Sequence, residues 1–223
     1  MTAPRVLLTL ILAAVVAAAL FGLDHPLARW TAHGGEGLRD IFGVITWFGQ
    51  GGVVLVPCGL FLLACLWLRP RLPSLAASLK RAVGGAALLF LAVASAGIVD
   101  DLLKLVFERA RPKLWLNGDP AGFFSGHFGS NYQSFPSGHT ATSVAAAVVL
   151  GQIFPRWRAE FAGFAVLIAV SRVMLDAHYV SDVAAGAAVG ALIALFVLAW
   201  FRRCGWWPHP DRPQDDGRIS VQR

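Results

Sequence analysis

The chain has 223 residues, of which 57% are hydrophobic and 14% are charged, and its mean hydropathy is +0.62. This composition is too apolar for an ordinary soluble domain and predicts one integral membrane domain. The formal net charge of +6 does not indicate nucleic-acid binding, because the basic residues are dispersed over short loops instead of forming one stripe.

Six apolar segments, in chain order, are the predicted membrane spans. They cover about residues 6–23, 53–68, 82–103, 138–154, 161–175 and 183–201. Several approach the ~20 residues that a helix needs to cross a bilayer, and the fourth and fifth would need flanking helical turns at the interface. Residues 41–52 are predicted as an interfacial helix, since Trp47 and Phe48 suit the headgroup region. The predicted fold class is therefore all-α, an integral membrane six-helix bundle.

The basic residues of the short loops indicate how the bundle is oriented. With six spans they all fall on one side, and short basic loops stay in the cytoplasm. These residues are Arg5, Arg69, Arg71, Lys80, Arg81, Arg156, Arg158, Arg202 and Arg203. Both termini are predicted inside, with residues 1–203 forming the membrane domain and residues 204–223 a disordered cytoplasmic tail. The first segment also has the pattern of a signal peptide, whose cleavage would leave five spans without inverting the later loops.

Three segments on the opposite side of the predicted bundle carry cations, hydroxyls and histidines. In order they read Lys-x6-Arg-Pro over residues 104–112, Pro-Ser-Gly-His over residues 136–139, and Ser-Arg-x5-His-x3-Asp over residues 171–182. The helix count alone brings all three to one face. We therefore expect an active site at the non-cytoplasmic ends of the helices.

The first segment has the residues of a phosphate-binding site. If the third helix continues past the membrane, Lys104 and Arg111 share a helical face, and Pro112 then turns the chain away. The guanidinium would bind a phosphoryl group through two hydrogen bonds, and the ammonium would add a point charge. The segment alone also fits an ordinary charged helix end, and Glu108 on the same face could pair with either cation.

The second segment predicts an anion site at the start of a helix. Pro136 and Ser137 fit a helix N-terminus, where the amides of Gly138 and His139 would point toward a bound anion. Ser137 can add a hydroxyl donor, and His139 could protonate a departing alkoxide. Taken alone, the tetrapeptide is more often a capped turn with a surface histidine.

The third segment predicts a nucleophile. His178 and Asp182 are four residues apart, so the carboxylate could accept a hydrogen bond from one imidazole nitrogen and leave a lone pair on the other. Arg172 would add a phosphate contact. The alternative is that Asp182 only caps a helix. Four further histidines, His25, His33, His127 and His209, have no comparable partners, and no role is assigned to them.

Together the three segments, "KLVFERARP", "PSGH" and "SRVMLDAHYVSD", resemble the signature motifs of the type 2 phosphatidic acid phosphatase superfamily, with no departure in spacing. The resemblance implies that His178 attacks phosphorus in line, that His139 protonates the leaving oxygen, and that water then hydrolyses a phosphohistidine. The residues expected to stabilise charge on the phosphoryl oxygens are Lys104, Arg111, Ser137, Gly138 and Arg172. Neither a cofactor nor a metal is expected, since Asp100, Asp101 and Asp119 do not form a ligand set comparable to a two-metal site.

The resemblance also implies a substrate class and a location. Similar bacterial enzymes act on undecaprenyl pyrophosphate, phosphatidylglycerol phosphate, phosphatidic acid or lipid A phosphates. We expect a lipid phosphate in the bacterial inner membrane, reached from a site that faces the periplasm. The loop over residues 113–135 is predicted to select the lipid or to act only as an interfacial lid. Its aromatic residues include Trp115, Phe123, Phe124, Phe128 and Tyr132.

Three alternatives differ from a lipid phosphatase. A lipid phosphotransferase would use the same phosphohistidine and pass the phosphoryl group to another lipid. Vanadium haloperoxidases resemble the superfamily in the same three motifs, but six apolar segments disfavour that mostly soluble group. A lipid-binding or transport protein would be expected to carry charges near mid-membrane, whereas the charged motifs here lie at helix ends.

Overall fold

A computed structural model of the protein describes residues 14–68, 80–119, 122–124, 126–127 and 129–206. Several features predicted from the sequence therefore lie outside the described residues. These are the start of the first span, Arg5, Arg69, Arg71, Phe128, His209 and all but the first three residues of the predicted tail.

The described residues are helical with no strand, which confirms the all-α prediction for this part of the chain. Two short 3-10 turns, Ser130–Tyr132 and Pro155–Trp157, interrupt the connections. The helices are α1 (residues 14–22), α2 (Asp24–Thr31), α3 (Glu36–Trp47), α4 (Gly51–Leu68), α5 (Lys80–Phe107), α6 (Pro112–Leu116), α7 (Gly138–Ile153), α8 (Arg158–Met174) and α9 (Val180–Arg203).

Three stretches of the described chain are long and apolar enough to cross a membrane. They are Glu36–Leu68, Lys80–Leu116 and Val180–Arg203, with 33, 37 and 24 residues. They include the second, third and sixth predicted spans. Helices α7 and α8, with 16 and 17 residues, are shorter than the ~20 residues of a straight span. The predicted interfacial helix over residues 41–52 is instead the end of α3, a turn and the start of α4.

Helices α5, α7 and α9 form the core of the bundle. Its fully or nearly fully buried side chains are Leu88, Ala92, Ala96, Ala145, Val149, Ala194, Val197, Leu198 and Phe201. Helix α8 packs on α7, and α3 packs on α8. Because so many contact residues are small, the helix backbones approach closely, as is usual between membrane helices.

Two glycines on α9 allow the closest approach between α9 and α7. A Cβ atom at Gly186 would collide with the carbonyl oxygen of Ser137, and one at Gly190 with the carbonyl oxygen of Ala141. Neither position has room for a side chain. The start of α7 is therefore held directly against the first turns of α9.

The third helix extends past its predicted span but does not reach Arg111. Helix α5 stops at Phe107, because Glu108 adopts a left-handed conformation with φ of +40°, and residues 108–111 are irregular. Pro112 does not turn the chain away but opens the short helix α6, where the fixed φ of proline suits the first helical position. The assumption that Lys104 and Arg111 share one helical face is therefore wrong.

Candidate active site

Lys104 lies near the end of α5, where it contacts the start of α7. Its ammonium is 2.5 Å from the Asp100 carboxylate and 3.3 Å from that of Asp101. A Cβ atom at Gly138 would lie 2.8 Å from Asp100 Oδ2 and 2.9 Å from Lys104 Nζ. The first two motifs thus meet at a glycine where any larger residue would displace the ends of the Asp100 and Lys104 side chains. Asp100, to which the sequence assigned no role, is fully buried beside Lys104.

Arg111 reaches the third motif by a different route from the predicted shared helix face. Its guanidinium donates hydrogen bonds to the carbonyl oxygens of Ser130 at 2.8 Å, Ala177 at 3.0 Å and Gln133 at 3.5 Å. Ala177 immediately precedes His178. Arg111 therefore joins the loop after α6 to the loop that carries the predicted nucleophile.

Glu108 does not pair with either cation of its motif. Its carboxylate accepts a hydrogen bond of 2.9 Å from the backbone amide of Gly126. The side chain therefore stabilises the loop after α5 and leaves Arg111 without a carboxylate partner among the described residues.

Ser137 occupies the N-cap position of α7 without a side-chain capping bond and is fully buried, and α7 begins at Gly138 as the second motif predicted. Its backbone amide donates to the carbonyl oxygen of Asp182 at 3.0 Å, and its hydroxyl accepts a hydrogen bond from Thr140 at 3.0 Å. The second motif is thus bonded directly to the third.

His139 is half-buried at the edge of a cavity of about 530 Å³ between α4, α5 and α7. Charged Lys104 and apolar Leu55 and Ile98 are among the residues that line this cavity. The charges of Arg172, Lys104 and Arg111 act on the His139 imidazole, as does His178. The two histidines and three cations predicted from the motifs therefore lie in one region.

His178 is 3% exposed and lies in the loop between α8 and α9. Its Nδ1 is 2.7 Å from the carbonyl oxygen of Ser134 but 3.7 Å from Asp182 Oδ2. Because a carbonyl oxygen only accepts, Nδ1 must carry the proton, which leaves the lone pair on Nε2. Nδ1 is therefore hydrogen-bonded to the Ser134 carbonyl oxygen, while the predicted partner Asp182 lies beside the same nitrogen at ion-pair distance. Burial lowers the pKa of His178 to about 4, so the ring is neutral at pH 7.

Asp182 is fully buried and accepts hydrogen bonds from three other groups. Arg109 donates to Oδ1 at 2.5 Å. The Ser134 hydroxyl and the Tyr179 amide donate to Oδ2 at 2.5 and 2.8 Å. The bond from Tyr179 caps α9, so the helix-capping alternative describes part of what this carboxylate does.

The sequence reasoning missed Arg109, which is 1% exposed. Besides Asp182, its guanidinium binds Asp24 at 2.8 Å and the Ser181 hydroxyl at 2.7 Å, and it lies 4.0 Å above the Tyr179 ring. Arg109 and Arg111 are two residues apart in a non-helical stretch, and their side chains bind different partners. The motif contains Arg109, but its spacing gives no sign that this side chain would be buried.

Asp24 was also missed. It is 1% exposed at the start of α2 and accepts hydrogen bonds from the backbone amide and hydroxyl of Ser181 at 2.9 and 2.5 Å. Together with the ion pair to Arg109, these bonds tie the amino-terminal part of the chain to the start of α9. No motif surrounds Asp24, so nothing in the sequence pointed to it.

Arg172 lies near the end of α8, where its guanidinium donates to the Thr46 hydroxyl of α3 at 2.6 Å. Its carbonyl oxygen accepts hydrogen bonds from the backbone amides of Ala177 and His178, at 3.1 and 3.2 Å. These bonds close the turn that presents His178. Thr46 was not predicted from the sequence.

The aromatic residues of the loop over residues 113–135 pack largely on other protein groups. Phe123 packs edge-on against Phe107 and Phe135, and Trp115 stacks on His25 with ring centroids 4.3 Å apart. Phe124 is 68% exposed. Within the described residues, no group of three or more His, Cys, Asp or Glu side chains could hold a metal ion.

Comparison with known proteins agrees with this arrangement. The family model described as "PAP2 superfamily" matches residues 85–206. A lipid A 1-phosphatase of Rhizobium johnstonii is 42% identical over 121 residues, which are 53% of this chain and 49% of the relative. A probable lipid phosphate phosphatase beta of Arabidopsis thaliana is 31% identical over 139 residues, 48% of this chain and 63% of that protein. The aligned region thus spans about half the length of the first relative.

Two solved structures share the fold. A transmembrane PAP2-type phosphatidylglycerolphosphate phosphatase from Bacillus subtilis matches with a TM-score of 0.63 and 22% identity, over 89% of this chain and 96% of that chain. LpxE from Aquifex aeolicus matches with a TM-score of 0.57 and 25% identity, over 80% of this chain and 96% of that chain. Because the family model covers more than half of the residues, the chain belongs to the PAP2 superfamily.

Proposed function

We propose that this member of the PAP2 superfamily hydrolyses a phosphate monoester or pyrophosphate on a membrane lipid, with His178 as the nucleophile. The observation that carries the proposal is the state of the His178 ring. It is buried, its Nδ1 proton is directed to the Ser134 carbonyl oxygen, and its Nε2 lone pair is left for attack. Arg111 and Arg172 lie close enough to act on this ring, and their positive charge supports the proposal that a phosphoryl group binds beside it.

The proposed reaction has two steps. Nε2 of His178 attacks phosphorus in line as the bond to the lipid oxygen breaks, and His139 gives its proton to that oxygen. Water then attacks the phosphohistidine and loses its proton to His139, which releases phosphate and restores neutral His178. The cations of the site would stabilise charge on the three equatorial oxygens. No step requires a metal ion.

The relatives indicate which of the proposed substrates should be tested first. The 42% identical relative is a lipid A 1-phosphatase, which makes the 1-phosphate of lipid A the first candidate. The other candidates are undecaprenyl pyrophosphate, phosphatidylglycerol phosphate and phosphatidic acid. Phosphatidylglycerol phosphate is the substrate named for the solved Bacillus subtilis neighbour. All four substrates carry a phosphate on a membrane-anchored lipid.

The proposed location is the bacterial inner membrane, with the site facing the periplasm. Arg158 begins α8 and Arg203 ends α9, whereas His139 lies in the first turn of α7 and His178 precedes α9. The basic residues therefore lie at the helix ends opposite the histidines, and basic loops stay in the cytoplasm. A lipid in the outer leaflet would then reach the site without leaving the bilayer.

Purified protein in detergent, given each of the four lipid phosphates in turn, provides the test. We expect free phosphate from at least one of them. His178→Ala should abolish its release, whereas His33→Ala, which changes an exposed histidine outside the motifs, should not. Transfer of the phosphoryl group to a second lipid without free phosphate would support the phosphotransferase alternative. Binding without any turnover would support a non-enzymatic lipid-binding protein.

A further inference from the structure

Ser134 lies outside the three motifs, yet it contacts groups of the first and third. The residue is fully buried. Its amide donates to the Arg109 carbonyl oxygen at 3.0 Å, its hydroxyl donates to Asp182 Oδ2 at 2.5 Å, and its carbonyl oxygen accepts the Nδ1 proton of His178 at 2.7 Å. All three polar groups of one serine are therefore engaged.

Asp182 cannot take the His178 proton directly in this arrangement. The two groups are 3.7 Å apart, beyond hydrogen-bond distance. Oδ2 already accepts from Ser134 and Tyr179, and Oδ1 accepts from Arg109. The shortest hydrogen-bonded path from the carboxylate to the imidazole runs through Ser134.

We propose that Ser134 is a positioning residue through which Asp182 orients His178. The hydroxyl bond to Asp182 fixes the orientation of the serine, and the serine carbonyl oxygen then holds the ring with its proton on Nδ1 and its lone pair on Nε2. The inference rests on the proposed role of His178 as nucleophile. It assigns the direct orienting contact on that ring to a backbone carbonyl group and not to the carboxylate.

Asp182 is itself held by the Asp24–Arg109 ion pair. The Arg109 guanidinium binds Asp24 through Nη2 and Asp182 through Nη1, so the carboxylate cannot rotate toward His178 without losing a buried charged partner. Such a loss is costly in a buried site. The Asp24–Arg109 pair therefore keeps Asp182 directed at Ser134.

The effect of the serine hydroxyl is measured with Ser134→Ala, which keeps the carbonyl group and the amide bond to Arg109 but removes the hydroxyl bond to Asp182. The rate constant for phosphohistidine formation, followed by rapid quench with an aryl phosphate, should fall by roughly tenfold to a hundredfold, the range seen when the partner that orients a metal-bound imidazole is lost. KM should stay within about twofold of its original value, because no phosphate contact changes. Ser134→Thr keeps the hydroxyl and should recover part of the rate.

A purely structural defect would give a different result. It would lower the amount of phosphoenzyme formed in the burst, because fewer molecules would be active, while the rate constant of the remaining molecules stayed normal. The proposal predicts a normal burst amplitude and a lower rate constant. Ser143→Ala is the matched control, since its hydroxyl bonds only to the Thr140 carbonyl oxygen within α7 and should leave both quantities unchanged.

A double-mutant cycle tests the path itself. If Asp182 acts through Ser134, then Asp182→Asn combined with Ser134→Ala should be no slower than the slower single variant. Multiplied losses in the double variant, or a normal rate constant for Ser134→Ala, would overturn the proposal. Asp24→Asn combined with Ser134→Ala applies the same test to the Asp24–Arg109 ion pair, which lies at the far end of the hydrogen-bond path. Phosphoenzyme formation by His178→Ala would instead refute the proposed nucleophile, which separates the two failures.

Discussion

Replacing Gly186 with alanine tests whether the contact between α7 and α9 supports the site. The new Cβ atom would lie 3.1 Å from the Ser137 nitrogen and 3.2 Å from its carbonyl carbon, and it would overlap the carbonyl oxygen. These are backbone atoms at the start of α7, so no flexible side chain can move aside. Helix α7 or α9 must shift instead.

The expected cost follows from overpacking. One inserted methyl group in a well-packed core destabilises a protein by about 1–3 kcal/mol. For a chain of this size each 1 kcal/mol lowers Tm by roughly 2–4 °C, so the unfolding temperature in detergent should fall by about 2–12 °C. Phosphate release should also fall, because the hydrogen bond between the Ser137 amide and the Asp182 carbonyl oxygen crosses the same contact at 3.0 Å.

Gly163→Ala is the control for the intrinsic effect of replacing a helical glycine. Gly163 lies in α8, and a Cβ atom there would meet nothing within 4 Å. Alanine is the better helix former, so this variant should be unchanged or more stable by about 0.4–1 kcal/mol. If Gly186→Ala has the same Tm and the same activity as Gly163→Ala, the close contact between α7 and α9 does not support the site.

Four further predictions concern orientation, chemistry and pH. A reporter fused after Arg203 should be cytoplasmic and one inserted within Gly118–Gly129 extracytoplasmic, and finding both on one side would refute the proposed topology. Activity should survive EDTA and fall with vanadate, a mimic of five-coordinate phosphorus; loss with EDTA that a divalent ion restores would contradict a metal-free reaction. His139→Ala should slow an alkyl phosphate far more than an aryl phosphate, whose phenolate needs no protonation, and equal losses would remove His139 from the acid role. Burial lowers the His178 pKa from 6.5 to about 4, so between these pH values the unfolded chain binds more protons than the folded chain. The free energy of unfolding of the protein should therefore rise relative to that of His178→Gln as the pH rises from 4 to 6.5, and the difference should stay constant above pH 6.5. Thermal unfolding across this range measures the difference.

The family and the helical class could be predicted because both depend on local sequence. Apolar segments identify candidate spans directly, and the three motifs are short and ordered. The start of α7 after Ser137 was also predictable, since a cap residue precedes an apolar run. Helices α7 and α8 were harder to judge, because 16 and 17 residues lie between the length of a buried helix and that of a span.

The path of the chain after α5 was not predictable from periodicity. The motif is compatible with a continuous helix from Lys104 to Arg111. In the structure Glu108 leaves the helical conformation, and its carboxylate accepts a hydrogen bond from the Gly126 amide 18 residues later. That contact depends on the loop that follows. Arg111 is consequently placed by three backbone carbonyl oxygens and not by a shared helix face.

The partners of the third motif were missed for a related reason. The spacing of His178 and Asp182 suggested a direct bond, but His178 precedes α9 and does not share a helical turn with Asp182. Ser134 instead bonds His178 across 44 residues of chain, and Asp24 bonds Ser181 across 157 residues. Contacts at such separation follow from the tertiary fold and leave no local pattern in the sequence.

The cations of the site are not equivalent as sources of attraction for a phosphate. Lys104 is paired with the buried carboxylate of Asp100, so much of its charge is offset before any substrate arrives. Arg111 donates hydrogen bonds to backbone carbonyl oxygens and Arg172 to a threonine hydroxyl, and neither forms an ion pair with a carboxylate within the part of the chain that the structure describes. Neutral partners hold a guanidinium in place without cancelling its charge. The two arginines are therefore expected to provide most of the attraction for the phosphoryl group, and Lys104 to add a point contact beside Gly138.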